Sequence, residues 1–320
     1  MQHEGRVTWT TVPAATESCT RPEGELAHEA AVAAPSAGRR PQPQRMATRA
    51  VPALRHVAVI MDGNRRWAEA RGLPVALGHR AGADAARRTI EAALRAELPW
   101  LTLFAFSSEN WARPADEVTE ITGLLRHYLR SEVGSLAKQG VRLRVIGERT
   151  RFGPETRAAI EAAEAHTKTG ARLNLTIALS YGGRAEILAA ARALSDACLR
   201  GTLSPADIDE AAFTAQLSTN EMPDPDLVIR TSGEQRLSNF MLWQAAYAEF
   251  SFPSVLWPDF GIEHFNAALA EFASRERRFG ARPSMAAIDP VAKVATAAMA
   301  ETTYPYHPFE RVRLSSQAEP

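Results

Sequence analysis

Between Arg55 and Gly280 the chain repeats one pattern, a short and almost uninterrupted apolar run followed by a longer stretch rich in Ala and Arg. The runs fall at 56–61, 100–106, 141–146, 173–179, 226–230 and 250–256, with helical stretches at 80–97, 115–138, 154–167 and 184–199. Short β-branched or aromatic runs read as strands and the longer stretches as helices. HVAVIM and LTLFAF lack the alternation of a strand with one wet face, so both faces of their sheet are covered. Strands joined through helices pair parallel, with right-handed crossovers. The pattern predicts one α/β domain with a central parallel sheet of about six strands flanked by helices.

The flanks differ. Residues 1–50 are rich in Ala, Pro, Arg and Glu without an apolar period and are expected to be a disordered extension; Met46, just before the first strand, is a candidate translation start. The folded domain is expected at 51–281, with a weakly structured tail over 282–320 whose YPYHPFERVRL is its one segment suited to docking. The 37 basic and 37 acidic residues cancel, which argues against bulk attraction to nucleic acid. Cys19 and Cys198 stand far apart, with no CxxC or Cys/His cluster to suggest a disulfide framework or structural zinc. No stretch offers the roughly 18 to 20 apolar residues that cross a bilayer, and the start lacks a signal-peptide apolar region. A cytoplasmic protein is expected, with any membrane contact peripheral.

Three strands run straight into polar clusters: HVAVIMDGNRRWA (56–68), LTLFAFSSENWARP (101–114) and DLVIRTSGEQRLSNF (226–240). Ligands of open α/β sheets bind outside the carboxyl ends of the strands, where such clusters converge. Asp62 suits magnesium, which takes carboxylate oxygen together with substrate phosphate oxygens. Gly63 allows close backbone approach, and Arg66 can fork onto phosphate. Taken singly this cluster reads equally well as a capped turn with solvated arginines. GHRAG (78–82) is read as opening a helix whose free amides favour an anion beside His79. Ser107 to Pro114 adds hydroxyls, an amide and Arg113, although a turn entering a helix accounts for it too. SYGGR (180–184) is a further glycine turn into a helix and so another candidate anion-facing N-terminus, although an ordinary joint accounts for it when viewed alone. In RTSGEQRLS (230–238) two arginines and two to three hydroxyls follow an apolar strand beside a glycine, which suits one diphosphate held by charge-assisted hydrogen bonds, with a solvated loop as the alternative. Glu249 lies in an apolar run, where an acid needs a partner or a metal. Trp67, Trp111, Trp243 and Trp257 read as packing aromatics. No GxGxxG follows the first strand, which disfavours a dinucleotide enzyme.

These motifs resemble the cis-prenyltransferases, the family of undecaprenyl diphosphate synthase. HVAVIMDGNRRWA, GHRAGA, LTLFAFSSENWARP, LNLTIALSYGGRAEI, DPDLVIRTSGEQRLSNFMLWQAAYAE and FASRERRFG occur in the family's order over about 225 residues. The resemblance implies a parallel-sheet homodimer that adds isopentenyl diphosphate units to an allylic diphosphate, with Mg2+ and each new double bond cis. It assigns Asp62 and Asn110 to catalysis, and Asp62 with Glu249 to the metal, Glu249 from the partner subunit's side. Gly63, Asn64, Arg65, Arg66, Trp67 and His79 would surround the allylic substrate. Ser107, Ser108, Glu109, Trp111 and Arg113 would join them from a segment that closes over both substrates, held by Glu117. Arg230, Arg236 and Ser238 would bind isopentenyl diphosphate. Two positions depart from the family pattern: Arg65 where Gly is frequent, and Val75 where many members carry an arginine. Ala105 is small where bulk would block elongation and Leu173 matches a tunnel floor, which implies a decaprenyl to undecaprenyl product for carrying cell-wall sugars. A short-chain product is the alternative, since DGNRRW and RTSGEQRLS occur in short-chain members as well. A silent binding homologue is a further alternative, expected to lack the strand-end aspartate and the RxG-type loop that this chain has.

Overall fold

The computed structural model describes residues 54–275. The segments at 1–50 and 282–320, including Met46, Cys19 and YPYHPFERVRL, lie outside the described residues, as does the end of FASRERRFG.

Six strands form one sheet: β1 His56–Ile60, β2 Trp100–Ser107, β3 Val141–Ile146, β4 Leu173–Tyr181, β5 Leu227–Arg230 and β6 Glu249–Ser251. Their spatial order is β3-β4-β2-β1-β5-β6 and every pairing is parallel. The helices are α1 Asn64–Glu69, α2 Val75–Arg95, α3 Ala115–Ser131, α4 Val133–Lys138, α5 Pro154–Thr167, α6 Gly183–Leu199, α7 Glu210–Thr214 and α8 Ile262–Ser274. All five residues of β1 are buried. One face, through Val57, Val59, Leu101, Leu103, Leu143 and Leu175, shares a core with α2, α5 and α8. The other, through Ala58, Ile60, Phe104, Ala178 and Val228, packs on Met222, Phe240, Met241 and Ala245. The doubly covered sheet expected from HVAVIM and LTLFAF is the sheet observed.

Several boundaries differ from expectation. The helix expected over 115–138 breaks after Ser131, beside Gly134, a composition that tolerates a kink. The last strand is three residues long, because Pro253 lacks the amide that would extend the ladder. The α2 helix begins at Val75, so GHRAG lies inside it. Its glycines serve contact: a Cβ on Gly78 or Gly82 would run into the carbonyl or side-chain oxygen of Asn64. Short α1 therefore lies directly against α2.

The connection from β1 leads to β2 on one side, while β5 pairs with β1 on the other. The strand order thus reverses between β1 and β5, the place where open α/β sheets hold ligands. Asp62 follows β1 there, and Arg230 ends β5.

Candidate active site

Thr231 ties the two strand ends together. Its hydroxyl accepts from the Asp62 amide at 3.0 Å and donates to the Asp62 carbonyl at 2.7 Å. The carboxylate of Asp62 is thereby aimed between two arginines: Arg230 Nη2 donates to Oδ2 at 2.7 Å and Arg66 Nη2 to Oδ1 at 3.1 Å. Partial burial pushes this carboxyl up, but both arginines outweigh it and hold the acid below the usual range. Arg230 is itself buried and also donates to Ser238 Oγ and the Arg236 carbonyl, each at 2.7 Å. Arg66 reaches on to Ser232 Oγ at 2.7 Å and Glu234 Oε1 at 3.0 Å, while Glu234 pairs with Arg236. The loop that supplies these groups carries positive φ at Ser232 (73°), Ser238 (48°), Asn239 (64°) and Met241 (43°). Non-glycine residues adopt that region rarely and at a cost, and such strain gathers at functional sites.

Across the cleft, buried Glu117 collects cations. It accepts from Arg65 Nη2 at 2.6 Å and from Arg113 Nη1 at 2.9 Å. Burial raises its pKa, and the two arginines more than reverse that, so Glu117 is held ionised. His79 Nε2 stands 3.5 Å from Glu117, too far for a good hydrogen bond. Burial and the nearby Arg113 lower the His79 pKa against the pull of Glu117, which keeps the ring neutral at pH 7. Asp62, Gly63, Asn64, Arg65, Arg66, His79, Arg113 and Glu117 line one pocket of about 410 Å³.

Through Met61, Asn64 and His79 this polar pocket adjoins a second cavity of about 240 Å³. The second cavity is apolar, running between α2, α3 and the sheet past Ala105, Leu125, Leu136, Leu143 and Leu175. Among the described residues four buried side-chain polar atoms lack a hydrogen-bond partner, and three of them, Asn64 Oδ1, His79 Nε2 and Arg230 Nε, belong to this site. Buried polar groups are ordinarily satisfied, so the clustering marks a place built for a polar ligand.

Other expected residues have different positions. Asn110 closes a capping box with Ser107, its Oδ1 accepting from the Ser107 amide at 2.9 Å, so its side chain is engaged locally. Ser108 bonds Glu109, and Glu109 accepts from Asn239 at 2.8 Å, which joins this segment to the β5 loop. Trp111 donates to Ser180 Oγ at 2.8 Å and packs on Phe106 and Phe152, while Trp67 donates to Asp259 at 2.7 Å and carries the Arg71 guanidinium over its ring at 4.3 Å. The amides opening α6 are taken by Asn239, whose carbonyl accepts from Gly183 and whose Oδ1 accepts from Arg184, so that helix start is not open to an anion. Glu249 pairs with Arg275 at 3.0 Å and lies level with Leu227, at the opposite end of the sheet from Asp62. Within one chain it does not join Asp62. Leu173 is fully buried in the core and is not part of the cavity wall, whereas Leu175, one pleat further along the same face, is. Thr231 and Ser232 are among the hydroxyls expected at this site, whereas sequence reasoning gave no role to Glu234 and Asn239, which lie in the same RTSGEQRLSN segment.

The residues fit a magnesium ion that takes one protein carboxylate and substrate oxygens. Asp62 is the acid at the switch point, and no group of three or more His, Cys, Asp or Glu able to hold a metal occurs among the described residues.

Comparison with known proteins agrees with this geometry. The family described as putative undecaprenyl diphosphate synthase matches residues 60–280. An isoprenyl transferase of Caulobacter vibrioides is 51% identical over 225 residues, 70% of this chain and 87% of that protein. A ditrans,polycis-undecaprenyl-diphosphate synthase of Pseudomonas aeruginosa, farnesyl-diphosphate specific, is 52% identical over 71% of this chain and 90% of its own length. Among solved structures, lavandulyl diphosphate synthase from Lavandula x intermedia, in complex with dimethylallyl diphosphate, superposes with a TM-score of 0.70 at 39% identity, covering 71% of this chain and 98% of that one. A probable undecaprenyl diphosphate synthase from Campylobacter jejuni gives 0.59 at 36% identity, with the same coverages. A family match over most of the chain, relatives at half identity and a shared parallel-sheet fold lead to one conclusion: the chain belongs to the undecaprenyl diphosphate synthase family.

Proposed function

We propose that the protein condenses isopentenyl diphosphate with an allylic diphosphate such as farnesyl diphosphate, giving a long polyprenyl diphosphate of decaprenyl to undecaprenyl length. The observation that carries this reading is a polar pocket of arginines around one carboxylate that opens into an apolar cavity between helices and sheet. A diphosphate with a hydrocarbon tail matches both halves. The allylic diphosphate sits among Gly63, Asn64, Arg65, Arg66, His79 and Arg113, its tail passing Met61 into the cavity. Isopentenyl diphosphate is held by Arg230, Arg236 and Ser238, across Asp62 from the first.

Arg66 and Arg236 are paired with Glu234, and Arg113 with Glu117. These pairs hold the cations around the pocket in fixed positions, so a diphosphate meets donors that need little reorganisation. Magnesium held by Asp62 would supply charge neutralisation on the departing diphosphate. In the reaction the allylic carbon–oxygen bond breaks, the carbon takes the electron pair of the isopentenyl double bond, and a proton is lost to restore an alkene. The arginines stabilise the leaving diphosphate most when its charge is greatest, and holding both substrates in register contributes orientation. Buried Asn64 Oδ1 and neutral His79 are acceptors beside the place where the proton departs.

A cytoplasmic homodimer completes the reading, and Leu188 and Leu199, both exposed on α6, are apolar side chains that a second copy would cover. No helix among the described residues is long and apolar enough to cross a membrane, and a peripheral contact would come through the lipid product. The long product serves as a lipid carrier for cell-wall sugars. The test is incubation with radiolabelled isopentenyl diphosphate and farnesyl diphosphate, with magnesium and then with a chelator. Label should enter a long-chain product only with the metal; no label incorporated would overturn the function, and products of only three or four isoprene units would overturn the length.

A further inference from the structure

Asn239 stands between the two halves of the site. It follows Ser238, which takes a hydrogen bond from Arg230, and its own backbone sits in the left-handed region at φ 64°, which asparagine tolerates better than most residues. The Asn239 carbonyl accepts from the Gly183 amide at 2.7 Å and its Oδ1 from the Arg184 amide at 2.8 Å, so both of its oxygens are tied to the start of α6. Phe240, next along the chain, is fully buried and stacks on Phe104 of β2 with ring centroids 4.4 Å apart. With backbone and side-chain oxygen fixed, the Nδ2 group has a set direction, and along it Asn239 donates to Glu109 Oε1 at 2.8 Å.

Glu109 belongs to the short 3-10 turn Ser108–Ala112, which buries none of its own residues and leads straight to Arg113 in the wall of the polar pocket. Desolvation pushes the Glu109 carboxyl up, and hydrogen bonds, the one from Asn239 foremost, bring it below its ordinary value, so the bond to Asn239 is made to a charged acceptor. Gly182 shows that this approach is built in. A Cβ there would run into Ser108 Oγ and into Asn239 Nδ2, the latter 2.7 Å away, so glycine is what lets the turn and the β5 loop meet. The strained backbone at Ser238 and Asn239 persists only while its contacts hold, and a ligand on Ser238 steadies Asn239 with it. We infer that Asn239 is a positioning residue that couples the two substrate subsites: isopentenyl diphosphate on Arg236 and Ser238 fixes Asn239, Asn239 fixes Glu109, and the turn then sets Arg113 around the allylic diphosphate. Coupling of this kind is reciprocal, each substrate tightening the other. The inference rests on the prenyl-transfer reading of the two subsites.

The probe is an unreactive allylic analogue, farnesyl thiolodiphosphate, titrated by calorimetry in the presence of magnesium, first alone and then with saturating isopentenyl diphosphate. In the parent the second affinity should exceed the first by about fivefold or more, the lower end of ordinary coupling between sites. Asn239→Asp keeps the Oδ1 that accepts from Arg184 and sets a carboxylate against Glu109. Glu109→Ala removes the acceptor from an exposed position, where the fold has little to lose. In each variant the ratio of the two affinities should fall to about one, whatever happens to the affinity for the analogue alone. Asn239→Asp combined with Glu109→Gln lets the glutamine amide donate to the aspartate, rebuilding the bond in the opposite direction, and should bring the ratio back, which a merely structural effect would not do. Circular dichroism confirms the fold of each variant. A parent ratio of one, a parent-like ratio in folded Asn239→Asp or Glu109→Ala, or a ratio that the double variant fails to restore would each overturn the coupling. A parent that binds neither the analogue nor isopentenyl diphosphate would overturn the site reading itself, so the two failures are distinguishable.

Discussion

Asp62 cannot be removed without consequence, because both of its oxygens are in use. Truncation to Ala leaves the buried Arg230 guanidinium short of its counter-charge, and an uncompensated buried charge costs about 3 to 5 kcal/mol. Asp62→Asn keeps the size and one acceptor while removing the metal-binding charge. It should lower kcat on the order of 100-fold or more with a cooperative unfolding transition retained, since stabilisation of a leaving oxyanion is a matter of several kcal/mol. Near-parent turnover in folded Asp62→Asn would end the mechanism. His56 gives a prediction about stability. It is buried at the start of β1, with Nε2 against Thr102 at 2.8 Å and Nδ1 against the Pro223 carbonyl at 2.7 Å. Burial, which outweighs the Pro223 hydrogen bond and nearby Asp226, pushes its pKa from 6.5 to about 4. Between those values the unfolded chain binds a proton that the folded protein refuses. Stability from this group is therefore complete above 6.5 and falls as pH falls toward 4, by ~3 kcal/mol in all. Urea midpoints measured across that window should show the decline, and His56→Gln should flatten it by one proton's worth.

The strands of the central sheet were legible because their apolar runs are short, β-branched or aromatic, and bounded by polar clusters. Helix α8 was missed despite Phe265, Ala268 and Phe272 at helical spacing, since it lies beyond the last expected strand. The start of α2 was misplaced because Gly78 and Gly82 look like a helix opening, while their use is to admit Asn64. No local signal separates a glycine that frees an amide from one that makes room. The contact has a consequence for function: Gly82→Ala sets a methyl against Asn64 Oδ1 and Trp257 Cδ1, the latter at 3.1 Å. Over-packing of this kind costs about 1 to 3 kcal/mol, and here it displaces α1, which carries Arg65 and Arg66. Gly82→Ala should lower the thermal midpoint and raise KM for the allylic diphosphate more than for isopentenyl diphosphate. The β5 loop behaves oppositely, since Arg236 is exposed and held chiefly by Glu234. Arg236→Ala should leave stability unchanged and raise KM for isopentenyl diphosphate, a charged contact being worth roughly 1.5 to 3 kcal/mol. Steady-state kinetics with each substrate varied in turn checks both variants, and the reverse pattern would exchange the two subsites.

At the scale of the molecule, what the sequence could not reveal is which of two equivalent-looking leucines meets the substrate. Leu173 and Leu175 occupy the same face of β4, separated by one pleat, and both are buried. Which one faces empty space depends on where α4 lies, and that follows from the break after Ser131, a tertiary fact. Leu175 lines the cavity opposite Leu136, whereas Leu173 is enclosed by the core. Leu173→Ala should therefore cost about 2 to 5 kcal/mol of stability as an ordinary cavity-forming substitution and leave product length unchanged. Leu175→Ala enlarges the cavity itself and should lengthen the product. Ala105, also in the wall, gives the converse. Leucine there adds three carbons to a cavity of only about 240 Å³, and close-packed walls do not yield to such volume without strain. Ala105→Leu should shorten the main product by one or more isoprene units. Mass spectrometry of the dephosphorylated products of all three variants orders them on one axis, Ala105→Leu below the parent, Leu173→Ala level with it and Leu175→Ala above. A lengthened product from Leu173→Ala with none from Leu175→Ala would mean that the tail runs deeper than the cavity seen between α2, α3 and the sheet.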